Sequence, residues 1–544
     1  MNGGEVLVAT LLSRGVDTVF FVPGGTLTTV MKALSDNRNR IRAVGTRLES
    51  SAGFAADAYA AIRGKPACVL VGRAPGATNA AIGVHNAMQA SRPMVLFIGD
   101  IPRAHKQREA FQEVDYRQMF APVAKAVFDV NSLDVLAEIA ARAIDLSMAG
   151  RPGPVVVSVS RDIFDGPTGE PAIPRPVQPP RLGVDASAVT EAARLLDAAE
   201  HPILIAGEMV GFERATDALV ALAEASGAGV MAAYRQQDCF PNDHPAYMGH
   251  LALNRPPYLM DALAQSDMLL SVGSRFDSVT TGDYKMIRRD QRLVMIHPDP
   301  AVFAQWQADI AMAAPCGAAL AALKDALRAA PSRERLGWRD RVHAAELAFA
   351  EPGEIAAHGE VDMGRVVQTF RAMVPPETVV AADAGTFGRW LHRYCRFNHP
   401  ATNLGPVSGS MGYGVPAGLG AAVADPSRPV VVWAGDGGFL MTGHEMAVLA
   451  QENLPVKVIV CDNAAWGSIL VSQGKRFPEW QYGTLLRSPD FAMLGRGYGV
   501  SSFTVAATAE FAPALAAAMA HEGPALIHLK LDARDVSPFT GSAR

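Results

Sequence analysis

The segment GDGGFLMTGHEMAVLAQENLPVKVIVCDN, from Gly435 to Asn463, decides the fold of this chain. It opens with the glycine-flanked acid Asp436 and closes, 27 residues later, on the amide Asn463. Carboxylate and amide oxygens are hard ligands of the kind that Mg²⁺ requires. Glycines before a helix let backbone amides and the positive helix end approach a phosphate. The segment therefore predicts a diphosphate held through a divalent cation, with an ordinary strand–turn–helix–strand of another nucleotide-binding fold as the alternative.

Short apolar strands alternate with helical patterns along the whole chain, which predicts parallel α/β layers. Strands are expected at 18–21, 67–71, 94–98, 155–159, 203–205, 229–232, 268–272, 293–296, 378–381, 430–433, 456–460 and 525–528. A proline-rich segment at 166–182 reads as an extended linker. We expect three doubly wound parallel-sheet units, at residues 1–166, 185–330 and 358–544, with a polar helical connection before the third.

Composition excludes several classes of partner and compartment. With 49 basic and 54 acidic residues and no basic run, the chain is not expected to bind nucleic acid. No apolar stretch is long enough to span a membrane, and the N-terminal residues lack the pattern of a secretion signal. Five scattered cysteines without a CxxC pair argue against zinc and disulfides. We expect a cytoplasmic protein.

The segment from Gly435 resembles the diphosphate-binding motif of thiamine diphosphate (ThDP) enzymes. The resemblance implies Mg²⁺ ligands at Asp436, at Asn463 and at the backbone carbonyl of Ala465. Where the family usually has two asparagines, the first is replaced here by Asp462. The loop GPVSGSMGYG and the segment DAGTF resemble the regions that contact the pyrimidine and the diphosphate, and Met411 would be the wedge beneath the cofactor. The residues expected to bind the cofactor are Thr386, Gly409, Met411, Gly435, Asp436, Gly437, Gly438, Asn463, Trp466 and Gly467.

The segment from Arg47 to Asp100 resembles acetolactate synthases and their relatives, and places the family's catalytic acid at Glu49. A carboxyl group beside N1′ of the aminopyrimidine lets its exocyclic amine become the base that removes the C2 proton. A helix N-terminal carboxylate, or a salt bridge with Arg47, is the structural alternative for Glu49. Phe111 and Gln112 match the pair that lines the substrate side in acetolactate synthases.

The loop FVPGGT carries Gly25 where decarboxylases of the group tend to have an acid or serine, and Thr26 where aldehyde lyases have histidine. A bare pocket leaves room for a second carbonyl substrate. The alternative is that Gly25 only permits a turn with positive φ. Acetolactate synthases typically have Gln and His where Thr386 and Gly388 stand, which weakens a strict assignment to that enzyme.

The resemblance implies decarboxylation of a 2-oxo acid and ligation of the resulting enamine to a second carbonyl. A non-ligating 2-oxo-acid decarboxylase, a C–C lyase or hydrolase, and a catalytically silent ThDP-binding subunit are the alternatives. The pyrimidine-binding, central and diphosphate-binding units of the family act in a homodimer or homotetramer, with the site at the subunit interface. The segment around Arg275 resembles the region that holds a non-redox FAD. Whether the central unit binds FAD, ADP or no ligand stays open.

Overall fold

Three six-stranded, all-parallel sheets flanked by helices follow one another along the chain, which confirms the expected fold class. The structure is a computed structural model that describes residues 1–167, 169, 172–176, 182–351, 353, 355 and 357–539. Within these residues no helix combines the length and the apolar character needed to cross a bilayer. The expected end of the third unit, at residues 540–544, lies outside the described residues.

The first unit has the strand order β2-β1-β3-β4-β6-β5. Its strands are β1 (Thr18–Phe21), β2 (Arg42–Gly45), β3 (Ala67–Gly72), β4 (Met94–Asp100), β5 (Ala126–Val130) and β6 (Pro154–Ser160). Its helices are α1 (Gly3–Ser13), α2 (Thr28–Asp36), α3 (Glu49–Arg63), α4 (Ala74–Gln89), α5 (Tyr116–Phe120), α6 (Leu136–Met148) and α7 (Arg161–Asp165). Apolar cores cover both faces of the sheet, as parallel strands require.

The central unit has the different order β12-β11-β10-β7-β8-β9. Its strands are β7 (Pro202–Ala206), β8 (Gly229–Ala232), β9 (Tyr247–His250), β10 (Met268–Val272), β11 (Arg292–His297) and β12 (Ile310–Ala313). Its helices are α8 (Ala186–Ala198), α9 (Glu208–Phe212), α10 (Thr216–Ser226), α11 (Pro257–Gln265) and α12 (Cys316–Ala326), and α13 (Arg333–Phe349) follows as the connection. Numbered within the unit, this is the 3-2-1-4-5-6 order of dinucleotide-binding sheets.

The third unit repeats the order of the first, β14-β13-β15-β16-β18-β17. Its strands are β13 (Val379–Ala382), β14 (Asn403–Leu404), β15 (Val430–Gly435), β16 (Lys457–Asp462), β17 (Ser501–Val505) and β18 (Ala525–Lys530). Its helices are α14 (Met363–Met373), α15 (Phe387–Tyr394), α16 (Gly414–Ala424), α17 (Asp436–Thr442), α18 (Met446–Gln451), α19 (Gly467–Arg476), α20 (Phe491–Gly497) and α21 (Phe511–Ala520).

The expected strands correspond, within two residues at each end, to the four interior strands of every sheet. The two edge strands of each sheet, β2, β5, β9, β12, β14 and β17, were not expected. Most of them are partly exposed, because an edge strand has a neighbour on one side only, and β14 has just two residues. Their sequences therefore lack the continuous apolar run that marks a buried parallel strand.

The first and third units pack directly on each other through α3 and α16. The Tyr413 hydroxyl donates a 2.9 Å hydrogen bond to the buried Asp57 carboxylate across this contact. Gly420 lies so close to α3 that a Cβ atom there would be 2.0 Å from the Ala55 carbonyl oxygen. The two sheets that are expected to carry the two halves of the site are therefore joined into one body by a shared apolar core.

The proline-rich linker passes alongside α1. Its described residues contain no helix or strand, and Arg14 Nη1 donates a 2.7 Å hydrogen bond to the Pro174 carbonyl oxygen. Positions 168, 170–171 and 177–181 of the expected linker lie outside the described residues.

Candidate functional site

A cavity of about 220 Å³ lies at the C-terminal edge of the third sheet, where β13, β15 and β16 end. We call it the diphosphate cavity. The sequence-predicted cofactor and metal residues that line it are Thr386, Gly409, Met411, Gly435, Asp436, Gly437, Gly438, Asn463, Ala465, Trp466 and Gly467. The fold thus brings together segments up to 81 residues apart in sequence, because parallel strands present their C-terminal ends at one edge.

Asp436 begins α17 directly after β15, and its carboxylate is held from two sides. Oδ1 accepts a 2.8 Å hydrogen bond from the Gly437 amide, and Oδ2 lies 3.3 Å from the Ser488 hydroxyl. Burial, together with the charge of nearby Asp462, raises the pKa of Asp436 to about 6. A divalent cation beside this carboxylate would offset that cost of burying a negative charge.

Asp462, the residue that departs from the family pattern, is not among the described residues that line the diphosphate cavity, and it shares the Ser488 hydroxyl with Asp436. Its carboxylate accepts a 2.6 Å hydrogen bond from Ser488 and lies 2.9 Å from His528 Nε2. Burial would raise the pKa of Asp462, but the hydrogen bonds from His528 and Ser488 outweigh it and the pKa is lowered. Ser488 therefore links two carboxylates, a role that the sequence did not suggest because Ser488 lies in a loop without a motif.

The donor set fits Mg²⁺ and a diphosphate. The Asn463 side chain lines the cavity and makes no hydrogen bond within the described part of the chain. The Ala465 carbonyl oxygen accepts from the Gly467 amide at 2.9 Å, which leaves its second lone pair available. A side chain at Gly437 would place Cβ 2.2 Å from the Trp466 ring, so glycine is needed for the helix to approach the opposite wall. One carboxylate, one amide and one carbonyl, completed by phosphate oxygens, match the preference of Mg²⁺.

The loop that carries Gly409 and Met411 is tied to the end of β13 by Asp383. This buried carboxylate accepts hydrogen bonds from the backbone amides of Ala384 at 2.6 Å, Gly412 at 3.0 Å and Gly414 at 3.3 Å. Burial raises the pKa of Asp383 to about 6. The segment DAGTF thus contacts the loop that is expected to bind the pyrimidine, and its Thr386 lines the diphosphate cavity.

A separate cavity of about 230 Å³ lies in the first unit, and we call it the Glu49 cavity. Glu49 starts α3, and its Oε2 accepts a 3.0 Å hydrogen bond from the Asn79 side-chain amide of α4. The expected salt-bridge alternative is wrong: Arg47 Nη2 instead donates to Gln451 Oε1 at 2.7 Å. The remaining lining residues are Pro23, Gly24, Gly25, Thr26, Gly72, Arg73, Pro75, Gly76 and Gln112.

The FVPGGT loop borders the Glu49 cavity as open space. Gly25 has no positive φ, and a Cβ atom built on it meets no atom of the described residues within 4 Å. The turn therefore does not require glycine. The pocket is open at this point because Gly25 has no side chain. The Thr26 hydroxyl is engaged, since it donates a 2.7 Å hydrogen bond to the Gly99 carbonyl oxygen.

Phe111 and Gln112 are placed differently from each other. Gln112 lines the Glu49 cavity, with its backbone at φ 67°. The Phe111 side chain is 78% exposed and lies outside the cavity lining, with the Arg73 guanidinium 5.6 Å from the centre of its ring. A substrate-side role for Phe111 stays a prediction.

Glu445 anchors the backbone that leads into Glu49, a role that was not predicted from the sequence. This fully buried carboxylate of the third unit accepts hydrogen bonds from the amides of Arg47 at 3.0 Å and Leu48 at 3.2 Å. The third unit therefore fixes the start of α3 in the first. The available signal for such a role was an acidic residue within an otherwise apolar helical pattern.

The crevice of the central sheet does not fit the diphosphate of a dinucleotide. Its position is the topological switch point between β7 and β10, where such sheets bind ligands. A Cβ atom on Gly207 would lie 2.2 Å from Ser274 Cα, so the two strand ends are in close contact. The Glu208 carboxylate, at the start of α9 directly after β7, is 7% exposed and pairs with Arg275 at 3.4 Å. Arg275 is thus neutralised by an acid rather than free for a phosphate of FAD.

Comparison with known proteins identifies the family. Thiamine pyrophosphate is another name for ThDP, and models of thiamine pyrophosphate enzymes match in three places. The N-terminal TPP binding domain matches residues 1–119, the central domain 189–323 and the C-terminal TPP binding domain 383–529.

Full-length relatives agree with these matches. The acetolactate synthase isozyme 2 large subunit of Escherichia coli is 30% identical over 98% of this chain and 96% of its own length. The acetolactate synthase large subunit of Parasynechococcus marenigrum is 31% identical over 97% of this chain and 87% of its own. The probable acetolactate synthase large subunit of Methanocaldococcus jannaschii is 28% identical over 99% and 93%. The chain belongs to the thiamine pyrophosphate-dependent enzymes and, within them, resembles the acetolactate synthase large subunits.

Proposed function

We propose that this enzyme uses ThDP and Mg²⁺ to decarboxylate a 2-oxo acid and to join the remaining fragment to a second carbonyl compound. ThDP supplies a nucleophilic thiazolium carbon that adds to the carbonyl and accepts the electrons released with CO₂. Asp436, Asn463 and the Ala465 carbonyl would hold the cation and the diphosphate. Glu49, oriented by Asn79, would hold and return the proton at N1′ of the aminopyrimidine.

One observation favours ligation over simple decarboxylation. Of the residues that line the Glu49 cavity in the described chain, only Glu49 and Arg73 carry ionisable side chains. Glu49 is committed to the cofactor in this proposal, and arginine keeps its proton at any ordinary pH. The Glu49 side of the site therefore offers no further acid to protonate the nucleophilic fragment, while the space beside Gly25 admits a second carbonyl.

Product analysis tests this reaction type. The ThDP- and Mg²⁺-loaded enzyme is incubated with pyruvate, with and without an added aldehyde, and we expect acetolactate or an acyloin in excess over free acetaldehyde. Gly25→Asp should shift the products towards acetaldehyde because it adds a proton donor in open space. Gly25→Asn is the matched control, since it has nearly the same size but no acidic proton.

The proposal fails if the wild-type enzyme gives almost only aldehyde from every 2-oxo acid that it accepts. It also fails if the enzyme is inert to all of them while it cleaves a diketone. An equal shift in Gly25→Asp and Gly25→Asn would mean that crowding, and not proton supply, controls the products.

We further propose that the complete site forms between two subunits of a homodimer or homotetramer. Glu49 and Asp436 line different cavities of the same chain, and the two cavities share no lining residue. A second copy would bring the Glu49 cavity of one subunit to the diphosphate cavity of the other. A reducing compartment such as the cytoplasm suits the five cysteines, all of them buried free thiols.

A further inference from the structure

A third cavity, of about 220 Å³, lies between the central and third units, and we call it the arginine cavity. It adjoins the diphosphate cavity, since Ala384, Gly385, Gly409 and Ser468 line both. Gly409 is the residue expected to contact the aminopyrimidine of ThDP. The inner end of the arginine cavity therefore lies beside the expected reaction centre.

Three arginines line this cavity without a carboxylate partner among the described residues, and two of them, Arg235 and Arg389, also lack a carbonyl partner for the guanidinium. Arg235 of the central unit is 7% exposed, and its Nε donates only to the Tyr234 hydroxyl at 3.2 Å. The half-buried Arg389 side chain, from α15, makes no hydrogen bond or ion pair with any described part of the chain. Burial lowers the pKa of Arg389. A buried cation that lacks a counter-ion is costly, and arginine cannot avoid the cost by losing its proton.

The other polar side chains of the cavity do not neutralise these arginines. The Glu346 carboxylate is bound by the Tyr258 hydroxyl, and burial raises its pKa to about 7. Arg393 is engaged by the Phe349 carbonyl oxygen at 2.8 Å. Burial lowers the pKa of His250 to about 4, so this imidazole is neutral at pH 7. The cavity keeps a net positive charge from Arg235, Arg389 and Arg393, and of these Arg235 and Arg389 have no backbone carbonyl bound to the guanidinium within the described residues.

The backbone of Arg235 adopts an unfavourable conformation that fixes the position of its side chain. Its φ is 58°, in the left-handed region that arginine rarely adopts. Its Nη1 lies 1.8 Å from the point where a Cβ atom on Gly405 would be, against the same loop that carries Gly409. Strained residues of this kind persist where the surrounding structure fixes them, and they concentrate at binding sites.

We propose that Arg235 and Arg389 bind an anionic group that the substrate keeps throughout the reaction. This inference rests on the proposed function and names its substrate class. A guanidinium pair on the carboxylate that leaves as CO₂ would stabilise the ground state more than the transition state, and would slow the reaction. A retained carboxylate carries no such penalty. It belongs either to a second acidic group of the donor 2-oxo acid or to the acceptor 2-oxo acid.

Equilibrium titration with unreactive probes tests the binding site without turnover. Glutarate and its neutral isostere glutaramide are titrated into the ThDP- and Mg²⁺-loaded enzyme. We expect glutarate to bind at least tenfold more tightly than glutaramide. Arg389→Met should weaken glutarate binding about ten- to hundredfold, the range of one hydrogen bond to a charged group. Arg389→Lys should restore part of the loss, and Arg365→Met, at an exposed position of α14, is the matched control.

Steady-state kinetics then distinguishes the two sources of the anion. The first pair compares two donors, 2-oxoglutarate and its 5-amide. The second pair compares two acceptors, 2-oxobutanoate and propanal, with pyruvate as the donor in both cases. If Arg389→Met loses the preference for 2-oxoglutarate over its 5-amide, the bound anion belongs to the donor. If it loses the preference for 2-oxobutanoate over propanal, the bound anion belongs to the acceptor. The inference is overturned if glutarate binds no more tightly than glutaramide, or if Arg389→Met binds glutarate like the wild type. Absence of ThDP-dependent CO₂ release, with the glutarate result intact, would refute the proposed function alone.

Discussion

Gly76→Ala is expected to slow cofactor activation without destabilising the protein. Gly76 lies in the first turn of α4, and a Cβ atom built on it would be 2.9 Å from Glu49 Oε1. Ordinary contacts of a Cβ atom begin near 3.4 Å, so the carboxylate must retreat by about 0.5 Å. The retreat also strains the 3.0 Å hydrogen bond that Asn79, three residues further along α4, donates to Glu49 Oε2.

The size of the effect follows from this displacement. A catalytic group misplaced by 1 Å costs on the order of a hundredfold in rate, so a shift of about half that distance predicts a loss of about tenfold. Stability should change little, because alanine is better than glycine in a helix by up to about 1 kcal/mol. A flexible carboxylate, and not the backbone, absorbs the contact.

The assay is deuterium exchange at C2 of the bound ThDP, quenched with acid and followed by NMR, together with the melting temperature. Gly337→Ala is the matched control: it lies in α13, and its nearest neighbour beyond the helix backbone is Arg341 Nη1 at 3.5 Å. It should leave the exchange rate unchanged. Exchange in Gly76→Ala within twofold of wild type, at equal ThDP occupancy, would refute the assignment of Glu49 as the activating acid or the contact that positions it.

Further predictions concern the cofactor, the assembly and pH. Asp436→Ala or Asn463→Ala should release ThDP because each removes a ligand of the bridging cation, and an unchanged affinity in titration would contradict this. Glu49→Gln should bind ThDP but slow C2 exchange by roughly two to four orders of magnitude. Mixed Glu49→Gln and Asp436→Ala subunits should regain activity, whereas verified inactive hybrids would argue for a site within one chain. Burial raises the pKa of Glu346 from 4.5 to about 7, so the favourable protonated form is lost as pH rises through 7. Glu346→Gln should therefore stabilise the protein more at pH 8 than at pH 5, by about 3 kcal/mol at most, and equal changes in melting temperature would contradict this.

The sequence was sufficient for the interior of the fold and for one half of the candidate site. The strands that lie between two neighbours are buried on both faces and read as apolar runs, so they could be predicted. The diphosphate cavity could be predicted as well, because its residues occupy the ends of such strands and the glycine-rich turns after them. Edge strands such as β5 and β17 could not, since their partly exposed residues carry a weaker pattern.

Only the tertiary structure decided which side chains contact the site residues that were predicted from the sequence. Ser488 contacts Asp436 across 52 residues, and His528 contacts Asp462 across 66. Glu445 binds the start of α3 across nearly 400 residues. Glu208 pairs with Arg275, the residue for which the sequence left an FAD phosphate open as a partner.

The arginine cavity likewise exists only in the folded chain. Arg235 and Arg389 belong to different units and share no motif, yet both face one cavity beside the diphosphate site. Local sequence predicts an interior strand or a turn because the apolar run and the turn residues are contained in the segment itself. A charged side chain acquires its role from groups distant in sequence, whose positions are set by how the three sheets pack together.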